Sequence, residues 1–260
     1  MRRKVLTLSV CIFLACSAND AVAQVVQRLT EPWTDRGYFN LNVGFETASG
    51  TLSDALTFRL PNDIEDGTMS VQSTVDSGAL FDFSAGSRVW RNVSVGLGFH
   101  RGSTSGEGTL QASVPNPAFF NSHREVAIPI SGLDRTKRDV HLLFGYMVPI
   151  DDRLSVHVTL GPSFFRVSQE VVSGATFTET GFPFTTVNAT TGVVERSDSA
   201  TGFNIGVDAA YKFWENPVVK LGGGMFIRYA GASAKIQILS NVVDSDVGGF
   251  QIGFGGRLRF

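Results

Sequence analysis

Thiols are all but missing from this chain. Cys11 and Cys16 are its two cysteines in 260 residues, so neither a disulfide framework nor a cysteine-ligated metal can hold the remainder together. The four histidines, His100, His123, His141 and His157, form no close set with carboxylates at ligand spacing, so no metal or cofactor site is expected. Past residue 23 no run of about 18 apolar residues occurs, and no helix is expected to cross a membrane. A basic stripe is also lacking. The 22 Lys and Arg against 24 Asp and Glu give a formal charge of −2, which argues against nucleic acid as a partner.

What is present begins with an export signal. Arg2, Arg3 and Lys4 form a positive n-region, Val5 to Ala15 is a mainly apolar stretch, and Ala21-Val22-Ala23 has the small-x-small pattern of a cleavage site. The stretch is too short for a membrane anchor, which needs about 20 helical residues. Residues 1–23 are therefore read as a signal peptide. Phe13-Leu14-Ala15-Cys16 resembles a lipoprotein box with Phe in place of Leu, so lipidation is the lesser reading. Cleavage after Ala23 removes both cysteines together with Arg2, Arg3, Lys4 and Asp20, leaving a formal charge of −4. Residues 24–36, with Pro32 and Trp33, read as an irregular leader.

From Gly37 to Phe260 the apolar spacing has period two. Eight segments each carry one apolar face and one face of Gly, Ser, Asn and charge. Phe39, Leu41, Val43 and Phe45 open the series. Phe81, Phe83, Ala85 and Val89 come next, then Val93 to Phe99, Val140 to Val148 and Leu154 to Leu160. Phe203 to Tyr211, Val219 to Ile227 and Phe250 to Phe260 complete it. Such lengths suit tilted strands crossing hydrocarbon. Short links at Arg91-Asn92, Asp151-Asp152 and residues 214–217 alternate with long ones at about 47–78, 102–137, 166–200 and 230–247. That alternation is the layout of an outer-membrane barrel with periplasmic turns and extracellular loops. The expected fold is therefore an all-β, antiparallel up-and-down transmembrane barrel of eight strands. Strand-like runs inside the long links (Arg124 to Ser131, Thr185 to Arg196) read as hairpins continuing the barrel into solvent, with ten membrane strands as the alternative. A soluble barrel or sandwich would turn the apolar face inward. The glycine-rich polar face, suited to a narrow lumen, speaks against it.

The closing residues Gly253-Phe254-Gly255-Gly256-Arg257-Leu258-Arg259-Phe260 resemble the C-terminal assembly signal of outer-membrane barrels, with Gly255, Leu258 and Phe260 at the matching positions. Gly253 stands where that pattern usually has a polar residue. The layout as a whole resembles the eight-stranded barrels of the OmpA transmembrane-domain, OmpX and OmpW type. The resemblance implies outer-membrane localisation, recognition of the last strand by the barrel-assembly machinery, contact with outer-membrane lipids, and a monomer. No peptidoglycan-binding domain is expected after the barrel.

A catalytic set is not apparent. His100-Arg101-Gly102-Ser103 has the wrong spacing for the His-x-Ser pair of a barrel lipid A deacylase, and Ser155-Val156-His157 has the reverse order. Inward charges are instead expected to form a network: Glu46, Asp82, Asp139 and Asp208 against Arg88, His100, Lys220, Arg228, Arg257 and Arg259. Trp33, Tyr38, Trp90, Tyr146, Phe213, Trp214 and Tyr229 suit interfacial girdles, and Pro162 predicts a bulge or strand end. The loop aromatics Phe119, Phe120, Phe177, Phe182 and Phe184 are expected to pack on one another or to form a contact surface.

Pairing Val89 with Val93 keeps both on the lipid side. It also sets Phe83 opposite Phe99, Arg88 opposite Ser94 and Asp82 opposite His100, so that carboxylate and imidazole are expected to meet and His100 to titrate as a buried group. Three function classes follow: a non-enzymatic structural or surface-interaction barrel, which the charged lumen and long loops favour; a narrow channel for small or apolar solutes, as in OmpW; and, third, a barrel enzyme acting on lipid A.

Overall fold

The computed structural model describes residues 32–47, 50–61, 64–239 and 241–260. The expected signal peptide and most of the leader lie outside the described residues. Eight strands form the ring: β1 (Gly37–Thr47), β4 (Gly78–Trp90), β5 (Val93–Asn116), β6 (Phe119–Pro149), β7 (Leu154–Glu179), β8 (Val187–Glu215), β9 (Lys220–Gly231) and β12 (Gly249–Arg259). Every ring strand is antiparallel to its neighbours, and β12 returns to pair with β1, which closes the wall. Closure leaves no ring edge whose N–H and C=O groups would face lipid unpaired.

Four further strands stand above the ring, on the side of the long links. The hairpin β2 (Gly50–Phe58) and β3 (Gly67–Val75) pairs onto the upper part of β5, and β10 (Ser233–Ile238) pairs with β11 (Asn241–Asp246). The run at 124–131 and all but the first two residues of the run at 185–196 are upper portions of β6 and β8, so the membrane wall has eight strands rather than ten. Asp198 of β8 accepts the Lys235 amide N–H at 2.7 Å, tying the small hairpin to the wall. The Lys235 and Ser199 amides hold that carboxyl below its usual range.

One strand shows how the sequence encodes two media. On β5, Val95, Leu97 and Phe99 point outward, while Ser94, Gly96, Gly98 and His100 point inward. Higher on the same strand the outward positions become Arg101, Ser103, Ser105 and Glu107, and the buried inward ones become Leu110, Ala112 and Val114. Below, therefore, the wall is apolar outside and polar inside; above, it is inverted, as a solvated barrel must be. Leu110, Ala112 and Val114 join Met69, Val71, Ile130, Leu133 and Val172 in an extracellular core. Leu52, Val171, Ile236 and Ile238 add a second cluster there.

Three local expectations are corrected. Residues Ala79 to Arg88 follow the expected register on β5, with Phe83 opposite Phe99 and Asp82 opposite His100, but Trp90 rather than Val89 faces Val93. A bulge at Val89 absorbs one residue, leaving a two-residue turn with Arg91 at φ 44°. The cause is Asn92, which is buried and not a solvated turn residue. Its amide donates to the Met147 carbonyl at 2.8 Å, and its Oδ1 accepts the Trp33 N–H at 3.0 Å. Pro162 neither ends β7 nor bulges it. The β6–β7 ladder lapses between His141–Ser163 and Phe144–Leu160 and resumes in the same register. Proline has no N–H to donate, and the Asn204 side chain supplies one to the Gly161 carbonyl at 3.0 Å. Finally, Trp33 and Tyr38 are not girdle residues. Both are buried inside the short-turn end of the barrel with Met147, whereas Trp90, Tyr146, Phe213, Trp214 and Tyr229 do face outward.

Candidate functional site

Above its short-turn mouth the lumen is filled by side chains of alternating sign. At the short-turn mouth Lys220 meets Asp35 at 2.6 Å, and Arg88 donates to the Trp33 carbonyl. Above them Arg257 grips Asp208 through two bonds of 2.6 and 3.0 Å and donates to the Asn42 Oδ1 at 2.5 Å. Arg259 donates to the Asn40 Oδ1 at 2.6 Å and lies over the Tyr38 ring. The next layer pairs Arg228 with Asp82 at 2.6 Å, while the Asn42 amide donates to the same carboxylate at 2.9 Å. Highest in the lumen, Lys137 contacts Glu46 and lies 3.3 Å from Asp139, which also holds His100 at 2.8 Å. Gln251 bridges the last two layers, accepting from Arg228 and donating to Glu46.

These contacts follow from a period of two in a narrow closed sheet. Asn40, Asn42, Glu46, Asp82, Asp208, Arg228, Gln251, Arg257 and Arg259 are inward positions of five ring strands, and all are buried. Charges at such positions must find partners, since water cannot supply them.

Most of the sequence-predicted charges are brought together, with two exceptions. Asp82 and His100 stand opposite one another, yet their side chains diverge: Asp82 bonds Asn42 and Arg228, and His100 bonds Asp139 from the other flanking strand. Arg88 and Lys220 do not join the central stack; each is engaged at the mouth. Lys137, Asn40, Asn42, Gln251 and Asp35 were missed. Lys137 carried a usable signal, because Arg135, Lys137 and Asp139 continue the inward alternation of His141, Leu143 and Gly145.

Two hydrogen-bonded Ser–His pairs also emerge, Ser94 with His157 at 2.9 Å and His141 with Ser163 at 2.7 Å. Their members come from different strands, so sequence spacing could not reveal them. All four are buried in the lumen. Space between layers is scant. The void beside Tyr38, Asp82, His157 and Arg228 is about 20 Å³, and the one beside Glu46 and Lys137 about 10 Å³. Each has room for about one water. A larger vestibule of about 530 Å³ opens at the short-turn mouth, below Arg257 and Arg259.

The close approach of the walls depends on glycines, Gly86 and Gly96 among them. A Cβ on Gly86 would lie 2.6 Å from the Tyr38 ring, and one on Gly96 would lie 2.4 Å from the Tyr38 hydroxyl and 2.6 Å from the Ala85 carbonyl. At the seam, the Phe260 N–H donates to the Gly37 carbonyl at 3.2 Å, and the Gly37 N–H donates to the Phe260 carbonyl at 2.9 Å. The Phe260 ring covers Gly37, where a Cβ would come within 2.7 Å of it. Leu258 and Phe260 face outward, and Gly255 packs against the Leu41 carbonyl.

No family model and no curated protein matches this sequence. Solved structures do. Neisserial surface protein A is 12% identical with TM-score 0.41, over 86% of this chain and 97% of that one. The outer membrane protein OprG from Pseudomonas aeruginosa is 12% identical with TM-score 0.44, over 87% and 97%. Ail, the attachment invasion locus protein of Yersinia pestis, is 13% identical with TM-score 0.36, over 85% and 99%. The likeness is one of fold. The closed ring, the outward apolar belt and the polar filled interior make this chain an eight-stranded outer-membrane β-barrel.

Proposed function

We propose that the barrel is a non-enzymatic, non-conducting anchor that holds its extracellular β-structure at the cell surface as an interaction module. The observation that carries this reading is the filled lumen, whose charges are spent on one another and whose voids take about one water each. The apex supports it. Hairpin tips from β5–β6 and β7–β8 meet where Asn116 donates to the Phe184 carbonyl at 3.2 Å, and Glu65 of the β2–β3 link accepts the Asn121 N–H at 3.0 Å. Phe119 and Phe182 lie 6.3 Å apart there, and with Phe120 they remain exposed. Phe177 instead stacks on Phe58, so the loop aromatics divide between packing and a contact surface. An exposed aromatic patch on ordered hairpins suits a protein partner. Against catalysis stands the burial of both Ser–His pairs, and the void beside His157 is only about 20 Å³. Lipids and the assembly machinery are the remaining partners of this reading, and no cofactor belongs to it.

Planar-bilayer recording of the full chain tests it. The wild type is expected to show no stepwise conductance, and Asp208→Ala combined with Arg257→Ala to admit ions. Steady single-channel steps in the wild type would make the narrow-channel reading the correct one.

A further inference from the structure

The rung above the lipid belt carries a feature that neither a closed lumen nor an aromatic tip explains. On β5, β6 and β7 the last outward apolar residues are Phe99, Val140 and Phe164, which lie side by side. One step up, Arg101 pairs in register with Arg138, and Arg138 with Arg166. All three point outward and are exposed, and none has an acidic partner among the described residues. With strands about 4.8 Å apart, three guanidinium-bearing positions fall within about 10 Å. Like charges directly opposite each other on a sheet are destabilising, so the sequence carries a cost here. The rung above is all hydroxyl: Ser103, Thr136, Ser168 and Ser197, again in register. On four of the other five ring strands, the outward positions just above the belt are Thr47, Ala79, Thr201 and Gly231, all uncharged, and β12 begins at Gly249, just above its last apolar outward residue Phe250. Basic residues do not simply mark the water line; they are concentrated on one side.

The geometry points to a binding site for the phosphate groups of a phosphorylated glycolipid in the outer leaflet. Its acyl chains would lie along Phe99, Val140 and Phe164, its phosphates would bridge the three guanidiniums, and its sugar hydroxyls would meet the hydroxyl rung. Guanidinium is the side chain best matched to phosphate, in charge and in paired hydrogen bonds. An anion placed across the row also relieves the repulsion among the arginines. The site faces the side of the long loops, which is the extracellular side of such barrels. It does not depend on whether the lumen conducts.

Native mass spectrometry of the full chain folded in uncharged detergent tests this, with bisphosphorylated lipid A as the probe and phosphatidylcholine and inorganic phosphate as the other arms. The wild type should retain lipid A in preference to phosphatidylcholine, and should lose it steeply as salt rises. Arg101→Gln with Arg138→Gln and Arg166→Gln should weaken retention at least about tenfold, with the heat-modifiable gel shift of the folded barrel unchanged. Equal retention of lipid A and phosphatidylcholine by the wild type would overturn the proposal without any variant. So would a folded triple variant that holds lipid A as well as the wild type, or displacement of lipid A by equimolar inorganic phosphate. Should the triple variant fail to fold, Arg138→Gln alone decides, with several-fold weaker retention expected and unchanged retention counting against the site.

Discussion

An inward residue on a ring strand has two cross-strand neighbours, and which one it bonds is decided by side-chain reach rather than by register. Asp82 illustrates this. His100 stands opposite on β5, yet the carboxylate turns to Asn42 of β1 and across the lumen to Arg228 of β9. An arginine spans the lumen where an imidazole cannot, and it brings a full charge. His100 then takes Asp139, its neighbour on β6. Removing one member of a buried pair leaves the other desolvated and unpaired, at a cost of about 3–5 kcal/mol, whereas replacing both by apolar groups is often near neutral. Asp82→Ala is therefore expected to lower unfolding stability in lipid vesicles by about that amount, and Asp82→Ala with Arg228→Met to recover most of it. Denaturant titration checks both. A loss below about 1 kcal/mol in the single variant would mean that Arg228 finds water or another partner, and that the lumen is wetter than its voids indicate.

At the scale of elements, the eight wall strands were legible because each must be apolar on one face and small or polar on the other, a pattern few other folds impose. The register of β4 on β5 was legible for the same reason: a slip of one would turn every phenylalanine inward. What escaped were events at which alternation is silent. The bulge at Val89 costs no change of face to Phe83 or Ala85, and depends on Asn92 being drawn toward Met147 from another turn. Lys137 escapes for a different reason: it does continue the inward alternation, but charge marks a loop in a membrane reading, whereas here it marks the top of the lumen. The seam between β12 and β1 was legible as a resemblance, and its geometry gives that resemblance a physical test. Phe260 closes the ladder with Gly37 and lays its ring on that glycine. Phe260→Asp is expected to leave a larger share of chain in the periplasm, read as a reduced heat-modifiable fraction in outer-membrane preparations. Wild-type levels of heat-modifiable barrel would show that the terminal residue is dispensable for assembly.

The molecule as a whole is one continuous wall set in two solvents, and its two cores obey opposite rules. Within the membrane, lipid rewards the outward apolar face and the interior is held by ion pairs. Above it, water rewards burial, and Leu110, Met69, Val71, Ile130 and Val172 are held by the hydrophobic effect. The parts share strands β5 to β8, yet the forces holding them are separable, so damage above need not spread below. Leu110 is fully buried in the upper core. Leu110→Ala removes its packing at a cost of about 2–5 kcal/mol, according to how far the site can collapse. That loss should fall on the hairpins, which have no lipid belt or closed ladder to hold them, and should open them to protease added from outside intact cells. The wall should keep its heat-modifiable mobility, because every strand from Phe99 downward retains its pairing and its ion pairs. Protease digestion of intact cells, followed by electrophoresis of unboiled samples, separates the two outcomes. Loss of mobility in step with hairpin cleavage would show that the cores fold as one cooperative unit, and that the inverted pattern along β5 marks no boundary in stability.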